Sequence, residues 1–281
     1  MKTLKNSAYT GERALFFGKD LIIENCVFYD GESPLKESEN IRLKNCQFKW
    51  KYPVWYSKNV ELFECTLLET ARSGVWYTED ITFIDSKIIA PKTFRRAKNV
   101  TLLNVEMPNA LETLWSCDGI KIKNVTASGD YFAMNSRNVE ADNFTLSGNY
   151  CFDGAENVTV KNSYLDSKDS FWNCKNVTVE NTTIIGEYIG WNSENVTFIN
   201  CTIESLQGFC YMKNLKLINC VLKNTTLAFE YSSVDAEIDF CDSIKNPTEG
   251  VIVTGDVGEL IMEPDRVDVT KTRIIIKNKN V

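Results

Sequence analysis

Asn176-Val177-Thr178-Val179-Glu180-Asn181-Thr182-Thr183-Ile184 is followed, nineteen residues on, by Asn195-Val196-Thr197-Phe198-Ile199-Asn200-Cys201-Thr202-Ile203. The leading Asn of this pair is an anchor that can be followed in both directions. The anchors are Asp20, Asn40, Asn59, Asp80, Asn99, Gly119, Asn138, Asn157, Asn176, Asn195, Asn214 and Asp235, at intervals of 19 to 21 residues. A fixed period of this length signals a solenoid. The first and third residues after each anchor are apolar, as in Val177 and Val179, with a mostly polar residue between them. Such alternation predicts a strand with one face turned inward. The sixth and eighth positions repeat the inward pattern, as in Cys201 and Ile203, and imply a second short strand after a corner at Asn200. Asn recurs at that corner, where it tolerates turn conformations and where stacked amides can hydrogen-bond coil to coil. The fold expected is an all-β, single-stranded right-handed parallel β-helix (solenoid) of about twelve coils of 19–21 residues. Leucine-rich repeats are disfavoured by the missing Leu framework. A four-sided pentapeptide helix is disfavoured because five consecutive intervals are nineteen residues rather than twenty.

The composition narrows the chemistry. The 281 residues include no histidine, so Ser/His/Asp triads, Cys/His dyads and His-ligated zinc or iron are excluded. A net charge of −7 opposes attraction to nucleic acid and to anionic membrane, and neither is expected as a partner. No apolar run approaches the ~20 residues of a membrane span, and the opening residues show no signal-peptide core. A cytoplasmic protein is expected, with its ten cysteines serving as reduced core hydrophobes. One domain is expected over residues 1–281, with an N-terminal cap over 1–13 and regular coils over 14–244. Residues 245–281 would form an irregular last coil and C-terminal cap, closed by a strand at Arg273-Ile274-Ile275-Ile276-Lys277.

Packing explains the repeating half of each coil, so functional information is sought in the half before each anchor. Four positions before the anchors stand Phe16, Lys36, Trp55, Trp76, Arg95, Trp115, Met134, Asp153, Trp172, Trp191, Cys210 and Tyr231. Five of the six tryptophans fall in this column, which alternation places on the outer face. Tyr56, Tyr77, Arg96, Asn135, Asn173, Asn192 and Tyr211 flank it on one side. Tyr52, Glu112, Tyr131, Tyr150, Asp169 and Tyr188 flank it on the other. One reading is a solvent-facing groove whose aromatic faces take sugar rings and whose amides and charges orient hydroxyls. The other is a stacked aromatic seam covered by loops or by another subunit. Arg95, Arg96 and Asp153 interrupt the column and count against full burial.

The chain resembles an uncharacterised, mainly bacterial family of single-domain right-handed β-helix proteins within the pectate-lyase-like superfamily. The resemblance covers essentially the whole length. It rests on Gly31-Glu32-Ser33-Pro34-Leu35-Lys36-Glu37-Ser38, Lys51-Tyr52-Pro53-Val54-Trp55-Tyr56, Phe94-Arg95-Arg96, Gly129-Asp130-Tyr131-Phe132, Gly186-Glu187-Tyr188-Ile189-Gly190-Trp191-Asn192-Ser193 and Leu227-Ala228-Phe229-Glu230-Tyr231. It implies the fold and a pointer to carbohydrate. Polygalacturonase aspartates and a pectate-lyase calcium motif are not found, which weighs against catalysis.

The function expected is binding of an oligo- or polysaccharide in an aromatic and charged groove, with lyase or glycoside hydrolase activity as its catalytic form. The alternative is a non-catalytic scaffold or homo-oligomer that uses the column as an interface. Candidate substrate-binding residues are Trp55, Tyr56, Trp76, Tyr77, Trp115, Asn135, Trp172, Asn173, Trp191 and Asn192. Candidate catalytic residues are Arg95, Arg96, Glu112, Asp130, Asp153 and Asp169. A lyase base would come from Arg95, Arg96 or Lys92, and a glycosidase pair from Glu112 and Asp130. The competing reading makes Glu112 and Asp130 solvated charges or salt-bridge partners of Arg95 or Lys92. No cofactor is required; Ca²⁺ on Asp130, Asp153 or Asp169 is the one candidate.

Overall fold

Coils pass through left-handed backbone at several fixed points, as at Asn40, Asn45, Tyr52 and Tyr56 before the next coil begins at Asn59, and that requirement organises the molecule. In the coil that begins at Glu39–Lys44, the anchor Asn40 has φ 56° and the corner Asn45 has φ 50°. The left-handed region costs most L-residues about 1–2 kcal/mol, and Asn enters it more readily. Between these turns Ile41 and Leu43 point inward, then Cys46 and Phe48 do so on the short strand Gln47–Phe48. The next coil repeats this with Val60, Leu62, Cys65 and Leu67, all buried. Its long strand lies parallel to the first in register, Ile41 beside Val60 and Leu43 beside Leu62.

The structure, a computed structural model, describes residues 1–277. Two 3-10 turns, Glu69–Ala71 and Val269–Lys271, are its only helical elements among the described residues. The chain divides into two compact units, one from Met1 to Leu146 and one from Ser147 onward, both built of the same coil. Amide ladders run through each. In the first, Asn45 Nδ2 donates to Asn25 Oδ1 at 2.9 Å and Asn59 Nδ2 to Asn40 Oδ1 at 2.8 Å. In the second, Asn195 donates to Asn176 at 3.0 Å, Asn214 to Asn195 at 2.8 Å and Asn219 to Asn200 at 2.9 Å. The residue that lowers the cost of the turn therefore also bonds one coil to the next.

The solenoid has about fourteen turns, more than the twelve anchors indicate. At one end Lys2–Lys5 and Ala8–Tyr9 pair in parallel with Lys19–Glu24 and Val27–Phe28, so the first residues form a coil of their own. Beyond Ser233–Lys245, the strands Glu249–Ile261 and Thr272–Ile276 continue the parallel stack. The first coil keeps the corner residue, Asn6 at φ 51°, whose Oδ1 accepts from Asn25 Nδ2 at 3.2 Å; the last turns lack the Asn signature, yet pairing needs only backbone groups and apolar alternation. One anchor also shifts: Val234 lies beside Leu215, so the coil starts at Ser233 rather than Asp235. Ser233 Oγ accepts from the Asn214 N–H at 2.8 Å in place of an amide. The register then slips between Leu217 and Cys220, which brings Ile238 level with Cys220, while alternation keeps Val234, Ala236 and Ile238 all facing inward.

All ten cysteines are buried free thiols. Burial pushes the Cys117 thiol up to about 12, which keeps it protonated and unreactive.

Asn176 sits inside a ladder at φ 56°, donating to Asn157 and accepting from Asn195. Asn176→Ala is expected to destabilise the protein by on the order of 1–3 kcal/mol through lost ladder bonds and left-handed strain. Asn176→Gly, free of the strain, should lose less. Urea denaturation of both variants checks the order.

Candidate functional site

Outward residues of the non-repeating half arrange themselves differently in the two units. In the first, Trp55 and Trp76 stack with ring centroids 5.3 Å apart and planes 9° from parallel. The Arg95 guanidinium lies 4.7 Å from the Trp76 ring and 4.7 Å from the Trp115 ring, filling the space between them. Ring faces that would meet a sugar are thus covered by neighbours. The indole N–H groups are engaged as well: Trp55 Nε1 donates to the Ser73 carbonyl, and Trp76 Nε1 to that of Lys92 at 2.9 Å. Beside this column Tyr56 and Tyr77 stack at 4.8 Å and 5°, with the Lys36 ammonium 5.6 Å from the Tyr56 ring.

The charged candidates of this unit largely find each other. Glu112 bonds Lys92 at 3.1 Å through Oε1 and Arg95 at 3.2 Å through Oε2, which is the ion-pair reading of Glu112. The Arg95 Nε is buried without a hydrogen-bond partner, a small cost offset by the two ring contacts. Arg96 and Asn135 are exposed, both in left-handed backbone at φ 50° and 54°. Asp130 is half-buried, and its backbone carbonyl accepts from the Glu112 N–H at 2.9 Å.

In the second unit the column runs Asp153, Trp172, Trp191, and here the rings meet tilted or edge-on rather than stacked flat, with Tyr150 6.0 Å from Trp172 at 88° and Tyr188 5.9 Å from Trp191 at 81°. Trp172 and Trp191 are 5.9 Å apart and tilted by 30°, and Trp191 and Tyr211 are 4.8 Å apart and tilted by 49°. Trp172 Nε1 donates to the Tyr188 carbonyl at 2.6 Å, so this indole offers ring surface only. Trp172, Asn173, Trp191, Asn192 and Tyr211 line an open depression of about 360 Å³. Asn173 Nδ2 donates to Asp153 Oδ1 at 2.9 Å and Asn192 Nδ2 to Asn173 Oδ1 at 2.8 Å. Each amide still holds a second N–H and further acceptor capacity.

Asp169 stands at the edge of this face. Burial holds its carboxyl above the usual carboxylate range; a hydrogen bond with Tyr150 acts against the rise, and Glu187 and Asp153 add to it. Lys168, whose charge acts against the rise, is itself tied to Glu187 at 2.8 Å. No group of three or more carboxylates or thiols placed to hold a metal ion occurs among the described residues.

The structure therefore brings Trp172, Asn173, Trp191 and Asn192 into one depression and ties Asp153 to its edge through Asn173, while Asp169 interacts with Tyr150, Glu187 and Lys168. It locks Trp55, Trp76, Arg95, Trp115 and Glu112 into a seam. Tyr211, read from sequence as a flank, lines the depression. The register shift moves Tyr231 level with Tyr211, since the Tyr211 N–H donates to the Glu230 carbonyl at 2.8 Å. Glu230 replaces Tyr231 in the column, buried and bonded to Lys245 at 2.9 Å and Gln207 at 3.2 Å. Only three-dimensional pairing reveals this, because the irregular coil has no anchor residue to count from.

A family model described as a protein of unknown function, DUF3737, matches residues 2–275. The chain belongs to the DUF3737 family. No curated protein matches it. Among solved structures, this DUF3737 chain is similar to PfbA, a surface adhesin of Streptococcus pneumoniae, at 13% identity over 79% of this chain and 70% of that one, with a TM-score of 0.40. It is similar to the A-module of the Azotobacter vinelandii mannuronan C-5 epimerase AlgE4 at 10% identity, over 99% and 90% of the two chains, with a TM-score of 0.34. A mutant tailspike protein of E. coli bacteriophage HK620, in complex with a hexasaccharide, matches at 10% identity over 92% and 71%, with a TM-score of 0.40.

Two expectations follow from the contrast between the units. Arg95→Ala should destabilise by roughly 1–3 kcal/mol, since it empties the slot between two indoles and leaves Glu112 with Lys92 alone. Arg96→Ala should change stability by less than about 0.5 kcal/mol; thermal denaturation of both variants checks the difference. Asp169 binds its proton more tightly folded than unfolded, so stability falls as pH rises through the window between its unfolded and folded values. Asp169→Asn should therefore be more stable than the unsubstituted protein at neutral pH. That gain should vanish on the acidic side of the ordinary aspartate range, as read by urea titrations at the two pH values.

Proposed function

We propose that the face of the second unit formed by Trp172, Asn173, Trp191, Asn192 and Tyr211 binds carbohydrate. The observation that carries this reading is the tilt of the rings above a ladder of amides. A pyranose has an apolar C–H face and a rim of hydroxyls, and it needs ring surface beside groups that both donate and accept. The second unit supplies both within one open depression, whereas the first covers its ring faces with other rings and with Arg95. On this reading the DUF3737 chain is a right-handed member of the pectate-lyase-like superfamily whose ligand face lies in the second unit.

A second reading, self-association, draws on the first unit. There the stacked Tyr56 and Tyr77 are 50% and 37% exposed, and aromatic surface of this kind is enriched at protein interfaces.

The carbohydrate reading predicts that a panel of oligosaccharides includes ligands that perturb tryptophan fluorescence. Trp191→Ala and Tyr211→Ala should weaken binding of such a ligand by roughly tenfold or more, about 1.4 kcal/mol. Trp55→Ala should leave it unchanged. Isothermal titration reads the affinities and circular dichroism confirms that each variant is folded; a panel without any responding sugar would remove the proposal.

A further inference from the structure

The side chains of this face recur once per coil, and the sugars of a linear polysaccharide recur once per residue of the polymer. Asn173 and Asn192 occupy the same position on successive coils, and Tyr211 follows on the next. The Asn173 N–H donates to the Trp191 carbonyl at 2.9 Å and the Asn192 N–H to the Cys210 carbonyl at 3.1 Å. Neighbouring coils of a parallel stack are ~4.8 Å apart. An extended β-1,4-linked pyranose chain advances by nearly the same distance per sugar. An α-1,4-linked glucan curls instead and leaves the register after one or two sugars.

We infer that the ligand is an extended, neutral β-1,4-linked glycan lying along these columns, one sugar to each coil. This rests on the carbohydrate reading and names its substrate class. Successive sugars of such a chain are turned over, so the Asn173 and Asn192 amides meet hydroxyls of opposite edges in turn, which a group able both to donate and to accept can serve, while Trp172 and Trp191 in one column and Tyr211 in the next offer ring surface beside them. The run is short. At one end Asp153 takes the place of an aromatic residue. At the other, Cys210 is buried and Glu230 is held by Lys245 and Gln207.

Neutrality follows from the charges around the face. Lys168 is paired with Glu187. Along the other edge Glu156, Lys175, Glu194 and Lys213 alternate in register, so their charges offset one another. Asp153 and Asp169 are left as the local excess, and a uronate would bring its carboxylate against them.

The test uses the intact protein and isothermal titration with cello-oligosaccharides of roughly two to six sugars, malto-oligosaccharides of the same lengths and mannuronate oligomers. Cello-oligosaccharide affinity should rise about three- to tenfold per added sugar up to about three sugars and then level off. Malto-oligosaccharides and mannuronates should bind at least about tenfold more weakly at equal length. Asn192→Gly removes one of the two amides without backbone strain and should lower the trimer's affinity to near that of the dimer, with the circular dichroism spectrum unchanged. Equal binding of malto-oligosaccharides, preference for mannuronate, or affinity independent of length would overturn the inference and leave carbohydrate binding standing. Absence of binding by these sugars and by a broad glycan panel would overturn both.

Discussion

Left-handed backbone at fixed points in every coil is the constraint on which the rest depends. A chain that must return to its starting direction every 19 to 21 residues needs abrupt corners, and those corners recur at φ near +50°. An ordinary L-residue loses about 1–2 kcal/mol there. Asn loses less and, stacked on its equivalent one coil away, gains a hydrogen bond whose net contribution is of order 0.5–1.5 kcal/mol. The two effects have similar size and the same residue supplies both. With the corners set, alternate side chains fall inward and the buried columns of Val, Ile, Leu, Phe and Cys follow.

What stands in the outward column then decides whether the aromatic residues close or open. The face of an indole carries negative charge in its quadrupole, so a guanidinium settles against it and a carboxylate does not. Arg95 accordingly lies between Trp76 and Trp115 and completes a stack. Asp153, next to Trp172 in the column, turns its oxygen to the Asn173 amide, and the rings beyond it tilt.

Charge pairs between coils have a lesser part. Lys5–Glu24, Arg42–Glu61, Lys87–Glu106 and Lys161–Glu180 each join equivalent positions on adjacent turns. All are largely solvent-exposed, where such pairs contribute about 0–1 kcal/mol each. They favour one register over its neighbours more than they hold the coils together.

By itself the sequence determined the period, the inward positions such as Val177, Val179, Cys201 and Ile203, the Asn corners and the outward placement of five tryptophans. Each is a local property that recurs, so a pattern in one dimension carries it. Tertiary structure decided the rest: the ring angles at Trp172 and Trp191, the sandwiching of Arg95, the bonding of Glu112 to Arg95 and Lys92, the start of a coil at Ser233, and the turns at both ends. These depend on which side chain lies across a gap of roughly one coil, and on its size and charge. Neither is written in the residue's own neighbourhood, because chain distance and spatial distance coincide only after the coil has closed.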